Sequence, residues 1–228
     1  MNIHPLSSVQ QAVWFDQMLA PEVPFYNIGM ALLTDGDLQL PVLEQALTGV
    51  VRANDALRLV LCPGAGPPQQ RLLPPFEVTL EIVDFSQHAQ PQEAAWDYMQ
   101  TAFRKPFNFA AGGLLWQWQI VRVDAARHYI FQRFHHLVAD AFSVSIVSFR
   151  MLDIYNHILR GESMPERAAP SYLDFIAEDQ AYLASERFAR DKAFWSERFA
   201  QVPPGWVSPA REVQTQKVLP SEEIQWPV

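Results

Sequence analysis

Residues 114–140 read LLWQWQIVRVDAARHYIFQRFHHLVAD. Leu114 to Val123 and Tyr129 to Phe134 are rich in aromatic and β-branched residues, which predicts two strands. Asp124-Ala125-Ala126-Arg127 between them predicts a hairpin turn. Gln117 and Gln119 alternate with Trp116 and Trp118, as in a strand exposed on one face, so the tryptophans read as core or sheet-face residues. The second strand delivers the chain to His135-His136. After Asp140 a helix is expected, with Val144, Ile146, Val147, Phe149, Met151, Leu152, Tyr155 and Leu159 at its apolar positions and Gly161 as its stop.

The same reading extends in both directions. Ser7 or Ser8 caps a helix running to about Leu19, with Val9, Val13 and Trp14 at helical spacing. Tyr26 to Leu33 predicts a strand, ended by the turn Asp35-Gly36-Asp37. Pro41 suits the first turn of a helix carrying Val42, Leu43, Ala46, Leu47, Val50 and Val51. Leu57 to Leu61, Arg71 to Leu73 and Val78 to Val83 predict short strands. A helix from Pro91 to Phe103 presents Ala94, Ala95, Tyr98, Met99 and Ala102, and a last long helix covers Tyr172 to Phe199. Residues 201–228 contain five prolines and many polar residues, which predicts a connector with one strand near Glu223 to Trp226. Helices alternate with strands and hairpins, so the fold class is an α/β sandwich of mixed sheet and helices.

Composition narrows the function. Hydrophobic residues make up 49% of the 228-residue chain, enough for a full core, and the formal net charge is −8. An acidic chain without a basic run is a poor partner for nucleic acid. The single cysteine, Cys62, excludes an intrachain disulfide, offers no zinc-site spacing and gives no sign of a nucleophile. The reducing cytoplasm is therefore the expected compartment. No apolar run is long enough to span a bilayer, and the first twenty residues do not read as a signal peptide.

The chemistry concentrates at His135-His136-Leu137-Val138-Ala139-Asp140. Neighbouring residues on an extended segment point opposite ways, so one histidine faces a cleft while the other faces inward. Imidazole titrates near neutral pH, which suits proton transfer to or from an amine or alcohol. An acid four residues later could orient an imidazole or hold the loop through an ion pair. A strand end entering a helix also offers free N–H groups to a developing oxyanion. From these residues alone a catalytic centre and a structural pair both stay open, and adjacent histidines are a poor metal site. His4, His88, His128 and His157 have no such context and read as surface residues.

Several motifs occur in order. Leu6-Ser7-Ser8-Val9-Gln10 is followed by Trp14, then Tyr26-Asn27 and Gly36-Asp37-Leu38. Lys105-Pro106-Phe107-Asn108-Phe109 with Leu114-Leu115 precedes Phe134-His135-His136-Leu137-Val138-Ala139-Asp140-Ala141-Phe142-Ser143. Tyr172-Leu173-Asp174-Phe175 and Phe194-Trp195 complete the series. Together they resemble the N-terminal half of condensation domains from nonribosomal peptide synthetases, which share the chloramphenicol-acetyltransferase-like fold. The central family motif is His-His-x-x-x-Asp-Gly, so Ala141 stands where the family has glycine. A positive φ there would strain alanine, whereas a negative φ makes it harmless. The family's Arg-His-Glu-x-Leu-Arg motif stands as Ala53-Asn54-Asp55-Ala56-Leu57-Arg58.

The resemblance implies an amide-forming acyl transfer. The amine of one carrier-bound aminoacyl group attacks the acyl thioester on another carrier. His136 stands nearest the amine, as general base or as a positioning group. His135 packs inward, and Asp140 holds the loop through a buried ion pair with Arg58, with Ala141 and Ser143 in the motif loop. No cofactor is bound directly, because the phosphopantetheine arm belongs to the donor and acceptor carrier proteins. Residues 1–200 correspond to one of two lobes and 201–228 to a connector toward a missing C-terminal lobe, with an adenylation domain expected downstream and little activity expected of the lobe alone. Met1 stands five residues before Leu6, which fits a starter domain taking a fatty acyl donor. An epimerization domain, a coenzyme A-dependent acyltransferase of the same fold and a non-catalytic carrier-recruiting module stay open as alternatives. The histidines argue against heterocyclizing relatives, which carry aspartates there.

Overall fold

A computed structural model describes residues 3–62, 64, 68–163 and 169–201. The chain divides into two compact units, Met1–Ala181 and Tyr182–Val228. In the first, β2 (Asn27–Asp35), β7 (Arg127–His135), β6 (Trp116–Arg122) and β5 (Glu81–Asp84) lie side by side in that order. The first two pairings are antiparallel and the β6–β5 pairing is parallel, so the sheet is mixed as expected. The predicted hairpin turn forms because Asp124 Oδ1 accepts the amides of Ala126 (2.9 Å) and Arg127 (2.8 Å), the local bonding that makes aspartate a turn residue. A second, small sheet has the order β1 (Ile3–Pro5), β4 (Gln69–Leu72), β3 (Leu59–Cys62).

Strand alternation divides the core. Trp116, Trp118, Ile120, Ile130 and Phe134 face α2 (Leu40–Ala53) and α4 (Ala141–Leu159), meeting Leu43, Leu47, Val50, Val144, Val147 and Met151. Val121, Val123, Tyr129 and Phe131 face α3 (Pro91–Phe103), meeting Ala95, Met99 and Ala102. Helices thus cover both faces of the sheet, the layered arrangement expected from its α/β pattern. Gln119, expected at a solvent face, is instead buried: it accepts from Tyr98 Oη (3.1 Å) and donates to Glu81 Oε2 (2.6 Å). His128, expected at the surface, is buried in β7.

Other differences have local causes. Residues 78–80 do not join the sheet, because Thr48 Oγ1 and Glu44 Oε1 of α2 take the amides of Val78 (2.9 Å) and Leu80 (2.8 Å). Side-chain acceptors here outcompete a strand ladder. Asp55–Arg58 form a 3-10 turn, which delays the start of β3 to Leu59. The expected helix over residues 172–199 is two helices, α5 (Tyr172–Leu183) and α6 (Glu186–Arg198). Ser185 separates them, donating to Tyr182 O (2.6 Å) and accepting the Phe188 amide (3.1 Å) as an N-cap. The expected connector over 201–228, with its strand at Glu223 to Trp226, lies outside the described residues apart from residue 201. Among the described residues no helix is long and apolar enough to cross a membrane.

β2 and β7 pair over nine positions, from Asn27↔His135 to Asp35↔Arg127. Gly29 makes the middle of that ladder possible, since a Cβ there would lie 2.2 Å from Gln132 O and 2.9 Å from Arg133 Cα. Both obstacles are backbone, so neither can rotate away. Gly29→Ala is expected to destabilise the chain by about 1–3 kcal/mol, the usual cost of forcing atoms into packed structure. Urea unfolding of the variant checks this, and an unchanged midpoint would contradict it.

Candidate active site

β7 ends at His135, and the chain turns at once, with the Val138 amide bonding His135 O (3.0 Å). His136 and Leu137 are therefore the central residues of a tight turn. The two histidines part as alternation requires. His135 is 1% exposed, whereas His136 is half-buried at the rim. The His136 amide donates to Tyr26 O (2.9 Å), and the Tyr26 ring meets the His136 imidazole edge-on at 6.1 Å. The backbone at His136 is thus fixed, while its side chain stays partly exposed.

The His135 ring lies among aromatic walls. Phe109 stands edge-on at 4.8 Å, Phe107 edge-on at 6.0 Å and Tyr26 tilted at 6.0 Å. Its Nδ1 accepts the Leu137 amide (3.1 Å), and its Nε2 lies 3.2 Å from Gln17 Oε1. Burial, and next the charge of neighbouring His136, push its pKa down to about 4. His135 is therefore neutral at pH 7 and serves as an internal support.

Asp140 plays another part than expected. It is the N-cap of α4: its Oδ1 accepts the Ser143 amide (2.7 Å) and the Ser143 hydroxyl (2.5 Å). Those two bonds hold its carboxyl below the ordinary carboxylate value. Arg58 is buried as expected, but its Nε donates to Val51 O (3.2 Å) and its Nη1 to Leu73 O (2.7 Å). No ion pair joins Arg58 to Asp140. The physical reason is that two backbone carbonyls capture the guanidinium: Val51 O in the last turn of α2, which lacks a helical partner, and Leu73 O just after β4. Nor does Asp140 hydrogen-bond either imidazole. Ala141 is the first residue of α4 and has helical backbone, the case in which alanine replaces glycine without strain.

Sequence reasoning missed the role of α1 (Ser8–Leu19). Val9 is exposed and Val13 and Trp14 are only partly buried; the buried residues of this helix are Gln10 and Gln17. Ser7 and Gln10 form a capping box. Gln10 Nε2 donates to Leu137 O (3.0 Å), and Gln10 and Gln70 exchange side-chain bonds of 3.1 and 2.8 Å. The seven-residue spacing of two glutamines was the available signal, because it puts both on one helix face. Asn27, opposite His135, donates to Phe103 O (2.6 Å) and Lys105 O (2.9 Å) and so ties the end of α3 to the site. Asp55 accepts the Tyr172 amide (2.8 Å) at the start of α5, and Tyr172 Oη lies 3.3 Å from Ser7 Oγ. These contacts join the Ala53–Arg58 segment and Ser7 to the start of α5.

Beside the motif, Asn27, Ile28, Gly29, Met30 and Phe103 face Ala141, Val144 and Ser145 across an open pocket of about 420 Å³. Its lining is mostly apolar. On α4 itself Phe142 (76% exposed), Ile146 (39%) and Phe149 (72%) form an apolar stripe at positions i, i+4 and i+7. Of the apolar positions expected on this helix, Val144, Val147 and Met151 occupy the inward face together with Ser148, whereas Ile146 and Phe149 do not. Among the described residues no group of three histidine, cysteine or acidic side chains is placed to hold a metal ion.

Comparison with known proteins gives a consistent result. The sequence profile of the family described as Condensation domain matches residues 1–220. A plipastatin synthase polypeptide of Bacillus subtilis (strain 168) is 30% identical over 201 residues, which are 86% of this chain and 8% of that protein. The starter condensation domain of rhizomide synthetase RzmA superposes with a TM-score of 0.80 at 27% identity, covering 92% of this chain and 50% of that one. A variant of that starter domain, solved in complex with C8-CoA and Leu-SNAC, gives a TM-score of 0.79 at 28% identity, with coverage of 87% and 46%. This chain thus spans about half the length of the solved starter domain and a small part of the plipastatin synthase polypeptide.

The low pKa of His135 predicts a pH dependence of stability. Free histidine titrates near ~6.5, and the folded value is about 4. A group with a depressed folded value binds protons better in the unfolded chain, so its stabilisation is complete above about pH 6.5 and is lost as pH falls toward 4. The loss amounts to about 3 kcal/mol across that window. Asp84, Asp124 and Asp140, all held below the ordinary carboxylate value, lose their contribution only in stronger acid. Urea unfolding between pH 7.5 and 4.5 should show the slope in the natural chain and a much smaller one in His135→Gln. Equal slopes would contradict the assignment.

Proposed function

The chain belongs to the condensation-domain family, and from that premise we propose that it supplies the His136-bearing wall of an amide-forming acyl-transfer site. The donor is an acyl thioester, and the acceptor is the amine of an aminoacyl thioester on a carrier protein's phosphopantetheine arm. The amine nitrogen bonds to the thioester carbon, the carbon–sulfur bond breaks, and the amine proton ends on the departing thiol. The observation that carries this reading is the placement of His136. Its backbone is clamped by Tyr26 O and by the His135–Val138 turn, while its ring remains at the rim. A fixed imidazole accepting a hydrogen bond from the amine aims the nitrogen lone pair at the carbonyl. Such orientation is worth a large share of the barrier even without net proton transfer. Where the amine arrives protonated, the same nitrogen removes the proton.

The donor we assign is a medium-length fatty acyl group, making this a starter domain. Ile28, Gly29, Met30, Phe103 and Val144 line the open, mostly apolar pocket beside the motif. A variant of the similar RzmA starter domain is solved in complex with C8-CoA and Leu-SNAC, which supports the reading. The working site has two lobes, and this chain is one of them. Two observations support that: the chain covers half of the starter domain it resembles, and the stripe Phe142, Ile146 and Phe149 on α4 runs uncovered from the motif. Exposed apolar patches of this kind mark interaction surfaces.

The test is product formation from octanoyl and peptidyl thioesters with an aminoacyl-carrier acceptor, using residues 1–228 and a two-lobed form. The two-lobed form should condense the octanoyl donor and the single lobe should give only background. His136→Ala should lower turnover by about 10²-fold or more. Robust turnover by the single lobe would overturn the two-lobe reading. Full activity of His136→Ala would overturn the assigned role, and exclusive use of a peptidyl donor would overturn the starter assignment.

A further inference from the structure

The hydrogen bonds around His135 determine which of its nitrogens carries the proton. The backbone amide of Leu137 can only donate, so His135 Nδ1, 3.1 Å away, must accept. In a neutral ring the proton is then on Nε2, which faces Gln17 Oε1 at 3.2 Å. The orientation of the Gln17 amide is fixed independently. Its Nε2 donates to Ala20 O (2.9 Å) and Val23 O (2.8 Å), two carbonyls that can only accept. Each assignment thus rests on a backbone group of unambiguous chemistry, which removes the usual uncertainty over amide flips and tautomers.

We propose that Gln17 is a positioning residue: its side-chain carbonyl holds the ring proton of His135 on Nε2, which leaves Nδ1 free to accept the Leu137 amide and fixes the turn that presents His136. Any other state of the ring breaks this chain. With the proton on Nδ1, two donors meet at Leu137 and two acceptors meet at Gln17. With both nitrogens protonated, the Leu137 bond is lost. The same short segment acts twice, because Gln17 fixes the ring from the end of α1 while Tyr26 O, nine residues on, binds the His136 amide. Among the groups packed around the ring the titratable ones are Tyr26 and His136, while Phe107, Phe109 and Gln17 carry no ionisable group.

The importance of this device for the reaction rests on the proposed role of His136, but its test does not use turnover. Nitrogen-15 NMR of the histidine rings in the 228-residue chain reports tautomer and charge directly. His135 should show one pyrrole-like nitrogen, Nε2, and one pyridine-like nitrogen, Nδ1, at neutral pH. Gln17→Leu removes the acceptor, so the two signals should move toward an exchanging mixture and the Leu137 amide should exchange faster with solvent. Gln17→Glu keeps the shape and adds a charge, and should raise the His135 midpoint by about 1 to 3 pH units. If Gln17→Leu fails to fold, the Glu variant decides. Unchanged His135 signals and midpoint in the folded variants would overturn the proposal. Normal ring signals with an inactive two-lobed enzyme would instead count against the assigned reaction.

Discussion

The Leu137 amide has His135 Nδ1 as its acceptor, and that bond lasts only while the imidazole is uncharged. Much of the site's architecture serves this condition. A neutral imidazole with both nitrogens bonded can be buried at little cost, whereas a charged one would need a counter-ion or water. Phe107, Phe109 and Tyr26 supply an aromatic surround, and Gln17 supplies an acceptor without charge. Strand alternation then does the rest: with His135 inward, its neighbour His136 is at the rim. The nine-residue β2–β7 ladder, closed by Asn27↔His135, sets where the strand stops and the turn begins.

Leu137 is held on every side. His135 takes its amide, Gln10 binds its carbonyl, and its side chain packs with Leu6, Leu61 and Leu115. Helix α1 contributes polar contacts through Gln10 and Gln17 on one face, and Val13 and Trp14 pack against the same leucine cluster. A twelve-residue helix is marginal in isolation. This one is secured by its capping box, by the Gln10–Gln70 pair, and by Asp179, which accepts the Ser8 amide (2.8 Å) and hydroxyl (2.6 Å). A polar network with its members satisfied is rigid and specific, which suits a strut under a site.

Local chemistry was legible in the sequence wherever one residue decides the outcome. The Asp124 turn, the Pro41 helix start, the Gly161 stop at φ 70 and the inward and outward histidines were all readable. So were the buried faces of α2 and α3, since their spacing has one solution. What stayed hidden depended on partners distant in sequence. Gln119 looks solvent-facing until Tyr98 of α3 is known to lie over it. Ile146 and Phe149 look buried because hydropathy does not say how wide a helix's covered stripe is. Arg58 was legible as buried, but its partners, the carbonyls of Val51 and Leu73, leave no mark in side-chain sequence. The glutamines of α1 were hidden for a related reason: a buried amide and an exposed one read alike until their acceptors are known.

The rigidity of the site is uneven, and the pattern bears on mechanism. Behind His136 the backbone groups of the turn are bonded, and the support reaches α1, β2, the end of α3 and the small sheet. The imidazole of His136 is half-buried and meets the Tyr26 ring at 6.1 Å in a T-shaped arrangement. Orientation of a reacting amine needs the ring fixed as well as its backbone, because a rotating imidazole forfeits most of the advantage of proximity. On the proposed two-lobed reading, the second wall would complete that positioning. The uncovered apolar stripe beginning at Phe142, immediately after the cap residue Asp140, lies where such a wall would meet α4. Capping by Asp140 leaves α4 starting at the motif itself, so any element seated on that stripe is brought within reach of the turn that carries His136.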